Sequence, residues 1–121
     1  MATPLPAPET WRRIPRWPGY EASDYGLVRS VRRRLTDGRI CGGQILVQRK
    51  DRYGYWSVHL RRGKRKRTVR VHVLVLEAHR GPAPTGQEGC HGPGGKDCNW
   101  LSNLRWDTHA ANEADKRRAA S

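Results

Sequence analysis

The sequence predicts an α+β protein, with an antiparallel β platform and a basic hairpin in its first two-thirds and a strand–strand–helix unit at its end. Three observations carry this reading. Apolar and polar residues alternate at period two on either side of Gly63, between Tyr53 and Val71. The stretch VHVLVLEAH (71–79) has no breaker and runs into Arg80–Gly81–Pro82, which fits a short helix with a glycine stop better than a strand. THAANEADKRRAA (108–120) is rich in Ala, follows the capping candidates Asp107 and Thr108, and gathers Lys116, Arg117 and Arg118 where a helix dipole favours cations.

Residues 1–9 hold three of the eight prolines and no periodicity, so residues 1–10 read as a flexible arm. Tyr20–Ser23 and Leu27–Val31 read as two strands about an Asp24–Tyr25–Gly26 turn. Turns at Asp37–Gly38 and Gly42–Gly43 leave a short strand over Gln44–Gln48. In the hairpin that follows, Trp56, Val58 and Leu60 share one face, with Tyr55, Ser57, His59 and Arg61 on the other. The returning arm alternates Val69, Val71 and Val73 with Thr68, Arg70 and His72. Gly63 takes the tip, where positive φ is cheap for glycine. Beyond the 71–79 helix, Glu88–His91 and Asn103–Trp106 are expected as short strands flanking the loop 92–102. The natural division is an arm (1–10), a β-rich module (11–69) and a terminal core (70–121).

Charge narrows the function. The 121 residues carry 24 Lys+Arg against 11 Asp+Glu, a net +13, with only 36% hydrophobic residues and no Phe. Such a body repels itself unless its partner is a polyanion, which puts nucleic acid first. An anionic membrane surface would call for a basic amphipathic helix, whereas the densest basic run, RRGKRKRTVR (61–70), has strand periodicity. No segment approaches the ~18 apolar residues of a membrane span, and the N-terminus lacks a signal-peptide pattern. Cys41, Cys90 and Cys98 are odd in number and form no C-x-x-C pair, which argues against a disulfide framework and against a zinc knuckle. A reducing, cytoplasmic setting is expected, and a monomer without a small-molecule cofactor.

The chemistry lies in CHGPGGKDCNWLSNLRWDTHAANEADK (90–116), where His91, Asn103 and Asn112 fall at intervals of twelve and nine residues. This segment resembles the HNH endonucleases, in the homing-endonuclease branch whose last motif residue is Asn. RVHVLVLEAH (70–79) resembles that branch's entry helix, and WRRIPRWPGYEASDYGLVRSV (11–31) a short DNA-binding module found upstream of such cores. The resemblance implies a ββα-metal fold that hydrolyses a phosphodiester of double-stranded DNA, leaving 5′-phosphate and 3′-hydroxyl ends. It assigns His91 as general base, a role its ordinary pKa of ~6.5 suits. It assigns Asn103 to tether the loop and orient the His91 ring, and Asn112 to offer a hard oxygen to one divalent cation, Mg²⁺ or Mn²⁺.

The chain departs from the family at the residue before the base, which in many relatives is an Asp or His ligand and here is Cys90. A thiolate prefers softer ions such as Zn²⁺, Ni²⁺ or Co²⁺. Asp115 and His109 lie at i+3 and i−3 from Asn112 and are the candidate substitutes. His72 reads as a core or capping residue, His59 and His79 as structural, and Trp106 as core.

DNA contact is expected from the hairpin residues Arg61, Arg62, Lys64, Arg65, Lys66, Arg67 and Arg70. The cluster Arg12, Arg13, Arg29, Arg32, Arg33 and Arg34 joins them. The chain ends soon after the closing helix, without the helix-turn-helix of longer homing relatives. Modest sequence specificity is therefore expected and, for a monomer with one site, a preference for nicking one strand. The rival readings are a catalytically decayed, non-enzymatic nucleic-acid binder, for which Cys90 is the mark, and a ribosomal-type RNA-binding protein.

Overall fold

In the computed structural model, which describes residues 8–120 and side chains as far as Lys116, the N-terminal sheet begins one strand earlier than the alternation predicts. Strand β1 (Trp11–Ile14) pairs antiparallel with β2 (Trp17–Ser23), which pairs with β3 (Val28–Ser30). WRRI buries only Ile14 completely, so β1 leaves no alternating trace in the sequence. The arm expected over 1–10 is held at its end, where the Thr10 amide donates to Asp24 Oδ1 at 2.8 Å. Its residues 1–7 lie outside the described residues, as do the side chains of Arg117 and Arg118.

Strands β4 (Arg33–Arg34) and β5 (Ile40–Cys41) form a small ribbon around the Asp37–Gly38 turn. The strand expected over Gln44–Gln48 reduces to one bridge, Arg29 to Ile45. Ile45 and Val47 are 51% and 72% exposed, so the apolar face there has nothing to cover and no ladder extends.

The hairpin is β7 (Trp56–Arg62) and β8 (Arg65–Arg70), with β6 (Arg49–Lys50) on the outer edge of β7. Val58 and Leu60 point inward, His59 and Arg61 outward, and Gly63 turns the tip at φ +62°. The second arm stops at Arg70, three residues short of the expected Val69–Val71–Val73 alternation. Helix α1 (Val71–Arg80) takes over because Val71, Leu74 and Val75, at i, i+3 and i+4, are all fully buried. That burial outweighs the slight helix penalty of the β-branched valines. The helix closes at Gly81, whose N–H donates to the Glu77 carbonyl at 3.2 Å.

The chain ends as β9 (Gln87–His91), a 3₁₀ turn (Leu101–Asn103), β10 (Leu104–Thr108) and α2 (His109–Ala120). β9 and β10 pair antiparallel, with His91 opposite Leu104 and Cys90 opposite Arg105. Thr108 caps α2 by accepting the Ala111 N–H at 3.2 Å. One core joins the elements: Ile14, Trp17, Ala22, Val28, Val58 and Leu60 from the β platform meet Val71, Leu74, Val75, Leu76 and Leu104. Arg16 grips the buried carboxylate of Glu77 with two nitrogens, at 3.1 and 2.5 Å, and so ties the turn between β1 and β2 to α1. The observed class is a small α+β fold of antiparallel sheets and two helices. Among the described residues no helix is long and apolar enough to cross a membrane, and the three cysteines are free.

Candidate active site

His91 ends β9 and turns its ring into an open cleft of about 940 Å³, lined also by Tyr55, Lys96, Asn112, Asp115 and Lys116. Two aromatic rings lie beside that of His91. His72, on the first turn of α1, lies 4.5 Å from His91 between ring centroids, and Tyr55 lies 5.8 Å from His91 on the β6–β7 side. Gly89 is what lets His72 come so close. A Cβ at residue 89 would stand 2.8 Å from His72 Cδ2, nearer than carbon atoms approach. His72 is therefore a buried core residue and no helix cap, since α1 has no side-chain capping bond.

The ring is oriented by a residue the sequence did not single out. His91 Nε2 sits 2.7 Å from Oδ1 of Asn99, which is almost fully buried. With the amide oxygen accepting, Nε2 carries the proton and Nδ1 keeps its lone pair. Burial depresses the pKa of His91 below the ordinary histidine value, and the Lys96 charge acts in the same direction against the Asn99 hydrogen bond. Burial drives His72 further, down to about 3, assisted by His91 when that ring is protonated and by the Arg70 charge. Both rings are neutral at pH 7, so the pair does not repel itself.

Asn103 does tether the loop, but does not orient the ring. Its Oδ1 accepts the Gly94 N–H at 2.8 Å, and its Nδ2 donates to the carbonyls of Gly95 at 3.1 Å and Cys98 at 2.8 Å. These bonds fold residues 92–98 into a fixed turn that delivers Asn99 to His91. The same loop is braced from the β platform. Leu101 N–H donates to Asp24 O at 2.8 Å, Trp100 stacks on Tyr25 at 4.6 Å, and Asp97 takes the Trp56 indole and the Lys50 ammonium, both at 3.1 Å. Asn99 was hidden because its partner is eight residues away across an irregular loop. Its one local signal is a polar residue set between Cys98 and Trp100.

The residues expected around a cation separate into two groups. Asn112 and His109 meet at Glu88 on β9, where Glu88 Oε1 accepts from Asn112 Nδ2 at 2.7 Å and lies 3.1 Å from His109 Nδ1. The Asn112 bond holds the Glu88 carboxyl below the usual range, with His109 contributing, so it is anionic at neutral pH. Cys90 and Asp115 stand apart. Cys90 is fully buried, its thiol is pushed up by burial, and its Sγ–H lies 3.5 Å from the Glu88 carbonyl. Asp115 is paired with Arg105, which also holds Asp107 at 3.0 Å. Among the described residues no three His, Cys, Asp or Glu side chains converge on one point. The donors that do converge are a carboxylate, an amide and an imidazole, a set that a divalent cation accepts.

The basic residues also divide. Arg61, Arg62, Lys64, Arg65, Lys66 and Arg67 are exposed along the hairpin tip, and Arg32 and Arg33 are exposed on the ribbon. Arg29 is half-buried, paired with Glu21 at 3.0 Å and stacked over Trp11 at 4.0 Å. Arg70 is paired with Asp51 at 2.9 Å and lies 4.2 Å over the Tyr55 ring. Those two charges are met within the fold. Thr68 Oγ1 stands 3.0 Å from His59 Nδ1 on the exposed hairpin face, and His79 Nε2 meets the Ala22 carbonyl at 2.9 Å. Trp106 packs on the core and donates its indole N–H to Gly81 O at 3.2 Å.

Residues 9–61 match the NUMOD4 motif. No curated protein shows significant sequence similarity to the chain. A solved structure, described as DNA binding and cleavage by the HNH homing endonuclease I-HmuI, is similar at 28% identity and a TM-score of 0.71. The similarity covers 92% of this chain and 59% of that one, so this chain spans little more than half the length of I-HmuI. Motif and fold together make the chain similar to the HNH homing-type endonucleases.

Proposed function

We propose that this chain is a metal-dependent HNH DNA endonuclease. In this reading residues 11–69 hold double-stranded DNA, residues 70–121 form a ββα-metal core, and the monomer nicks one strand. The observation that carries the proposal is His91 opening into the same cleft as Asn112, with Nε2 fixed by Asn99 and Nδ1 left to accept a proton.

Hydrolysis of a phosphodiester needs a water deprotonated on one side of phosphorus and negative charge relieved on the other. His91 Nδ1 takes the water's proton; its depressed pKa leaves it unprotonated at neutral pH. Tyr55 and His72 hold the ring plane, and Asn99 holds its rotation and tautomer. Lys96 and Lys116 line the cleft with positive charge that meets the incoming phosphate. Asn112 would hold the divalent cation, which when bound stabilises charge on the phosphate and the leaving 3′ oxygen. The exposed hairpin tip grips the DNA backbone, where each phosphate neutralised releases counterions and steepens the salt dependence.

The buried Cys90 favours a second reading, a DNA binder that has lost catalysis, because the position that carries a ligand in many relatives is sealed. Plasmid cleavage separates the two. Supercoiled DNA is incubated with wild type and His91→Ala in Mg²⁺, Mn²⁺, Co²⁺, Ni²⁺ or Zn²⁺, with EDTA controls. The nuclease reading expects open-circle product from wild type only. Retardation of DNA without cleavage in any ion supports the binder, and linear product with no open-circle intermediate refutes nicking.

A further inference from the structure

We propose that Glu88, with His109, completes the cation site in place of the residue before the base, so that the ligand set is Glu88, Asn112 and His109. This rests on the nuclease reading; Glu88 and His109 line a pocket that adjoins the His91 cleft, and Asn112 lines both.

Side chains two apart on a strand point to the same face. Glu88 and Cys90 therefore share a face of β9, and the choice between them falls to α2. At residue 90 the strand faces Arg105 on β10, and the thiol is sealed. At residue 88 it faces the first turns of α2, where His109 and Asn112 stand three residues apart and reach one carboxylate oxygen. A carboxylate thus stands one strand repeat before residue 90 and meets the closing helix at Asn112 and His109.

The spacing is that of metal ligands. Octahedral oxygen ligands at ~2.1 Å stand about 3 Å apart, and the Asn112 amide is 2.7 Å from Glu88 Oε1. Without a cation, Asn112 turns its NH₂ toward the carboxylate. A half-turn of the same amide presents Oδ1 instead, an arrangement of two facing oxygens that only a bridging cation stabilises. Gly89 lines both the Glu88 pocket and the His91 cleft and adds no side chain to either. A carboxylate, an amide and an imidazole, with no thiolate, rank Mn²⁺ ahead of Mg²⁺ and remove the reason to expect a thiophilic ion.

The test is Mn²⁺ binding to the full chain without DNA, followed by loss of the free-ion EPR signal and by calorimetry. Wild type is expected to bind one Mn²⁺, and Glu88→Gln to weaken it by about tenfold or more, comparable with the loss of a metal-site partner elsewhere. His109→Ala weakens it less, Glu88→Asp gives an intermediate affinity, and Cys90→Ala stays within about twofold of wild type. Retention of DNA retardation in EDTA shows that each variant is folded, and Glu88→Asp serves should Glu88→Gln fail that check.

Unchanged affinity in Glu88→Gln, or an equal loss in Cys90→Ala, overturns the assignment. Asn112→Ala separates the two levels of failure. If it abolishes Mn²⁺ binding while Glu88→Gln does not, only the Glu88 assignment falls. If wild type takes up no Mn²⁺, or Asn112→Ala keeps full affinity, the metal role in the nuclease reading falls with it.

Discussion

Replacing Asn99 with Asp tests whether the hydrogen bond to Nε2 sets the base. In the wild type the 2.7 Å contact to Asn99 Oδ1 raises the pKa of His91 against the larger, opposing effect of burial. A carboxylate at residue 99 keeps the acceptor and adds a negative charge beside the imidazolium. An opposite charge within hydrogen-bonding distance of a partly buried group moves a pKa by about 1–2 units. The acid limb of the rate profile should therefore move up by about 1–2 pH units, leaving the plateau at high pH largely intact.

Asn99→Leu removes the acceptor instead. A part-buried N–H left without a partner costs about 1–3 kcal/mol, and with no tautomer enforced the rate at the plateau should fall about tenfold or more. The acid limb then moves down, since the larger of the two interactions that raise the His91 pKa is gone and only the Asp97 charge is left to raise it. The assay is single-turnover conversion of supercoiled to open-circle plasmid between pH 5 and 9, at fixed Mn²⁺ and saturating protein. Coincident profiles for wild type and Asn99→Asp, or a full plateau rate in Asn99→Leu, would refute the role given to Asn99.

Three further outcomes are expected. His72, whose pKa falls from an ordinary value to about 3 on burial, binds a proton in the unfolded chain that the folded protein rejects. Stability from this group is complete above pH ~6.5 and is lost as pH falls toward 3, by as much as about 4 kcal/mol. Urea unfolding at pH 7 and pH 4.5 should show a smaller drop for His72→Leu than for wild type. Substituting Lys64, Arg65 and Lys66 together by Gln should lower the slope of log affinity for DNA against log salt by up to about 3. Arg29→Gln, whose charge is already met by Glu21, should leave that slope unchanged. Leu74→Ala, in a fully buried position of α1, should cost about 2–5 kcal/mol in denaturant unfolding.

What the sequence determined by itself was whatever local chemistry enforces. Period-two alternation around Gly63 can bury Val58 and Leu60 in only one register, so the hairpin and its basic tip were legible, although its second arm ends at Arg70. The glycine stop at Gly81 and the Thr108 cap act within one turn of chain, and α1 and the start of α2 were legible for that reason. The segment 90–116, preceded in the family's order by 11–31 and 70–79, carried the family resemblance, and the turn at 92–98 is tied by Asn103.

Tertiary structure alone decided the contacts whose partners are distant in sequence. Strand β1 exists because β2 offers it an edge, although WRRI has no strand pattern of its own. Asn99 orients His91 only because the β platform clamps the 92–102 loop through Asp24, Tyr25, Lys50 and Trp56. Cys90 and Glu88 are alike in being two positions on one strand face. Burial opposite Arg105 closes one of them, and the first turns of α2 reach the other. The sequence names residues that can do the chemistry, and long-range packing decides which of them reach the cleft.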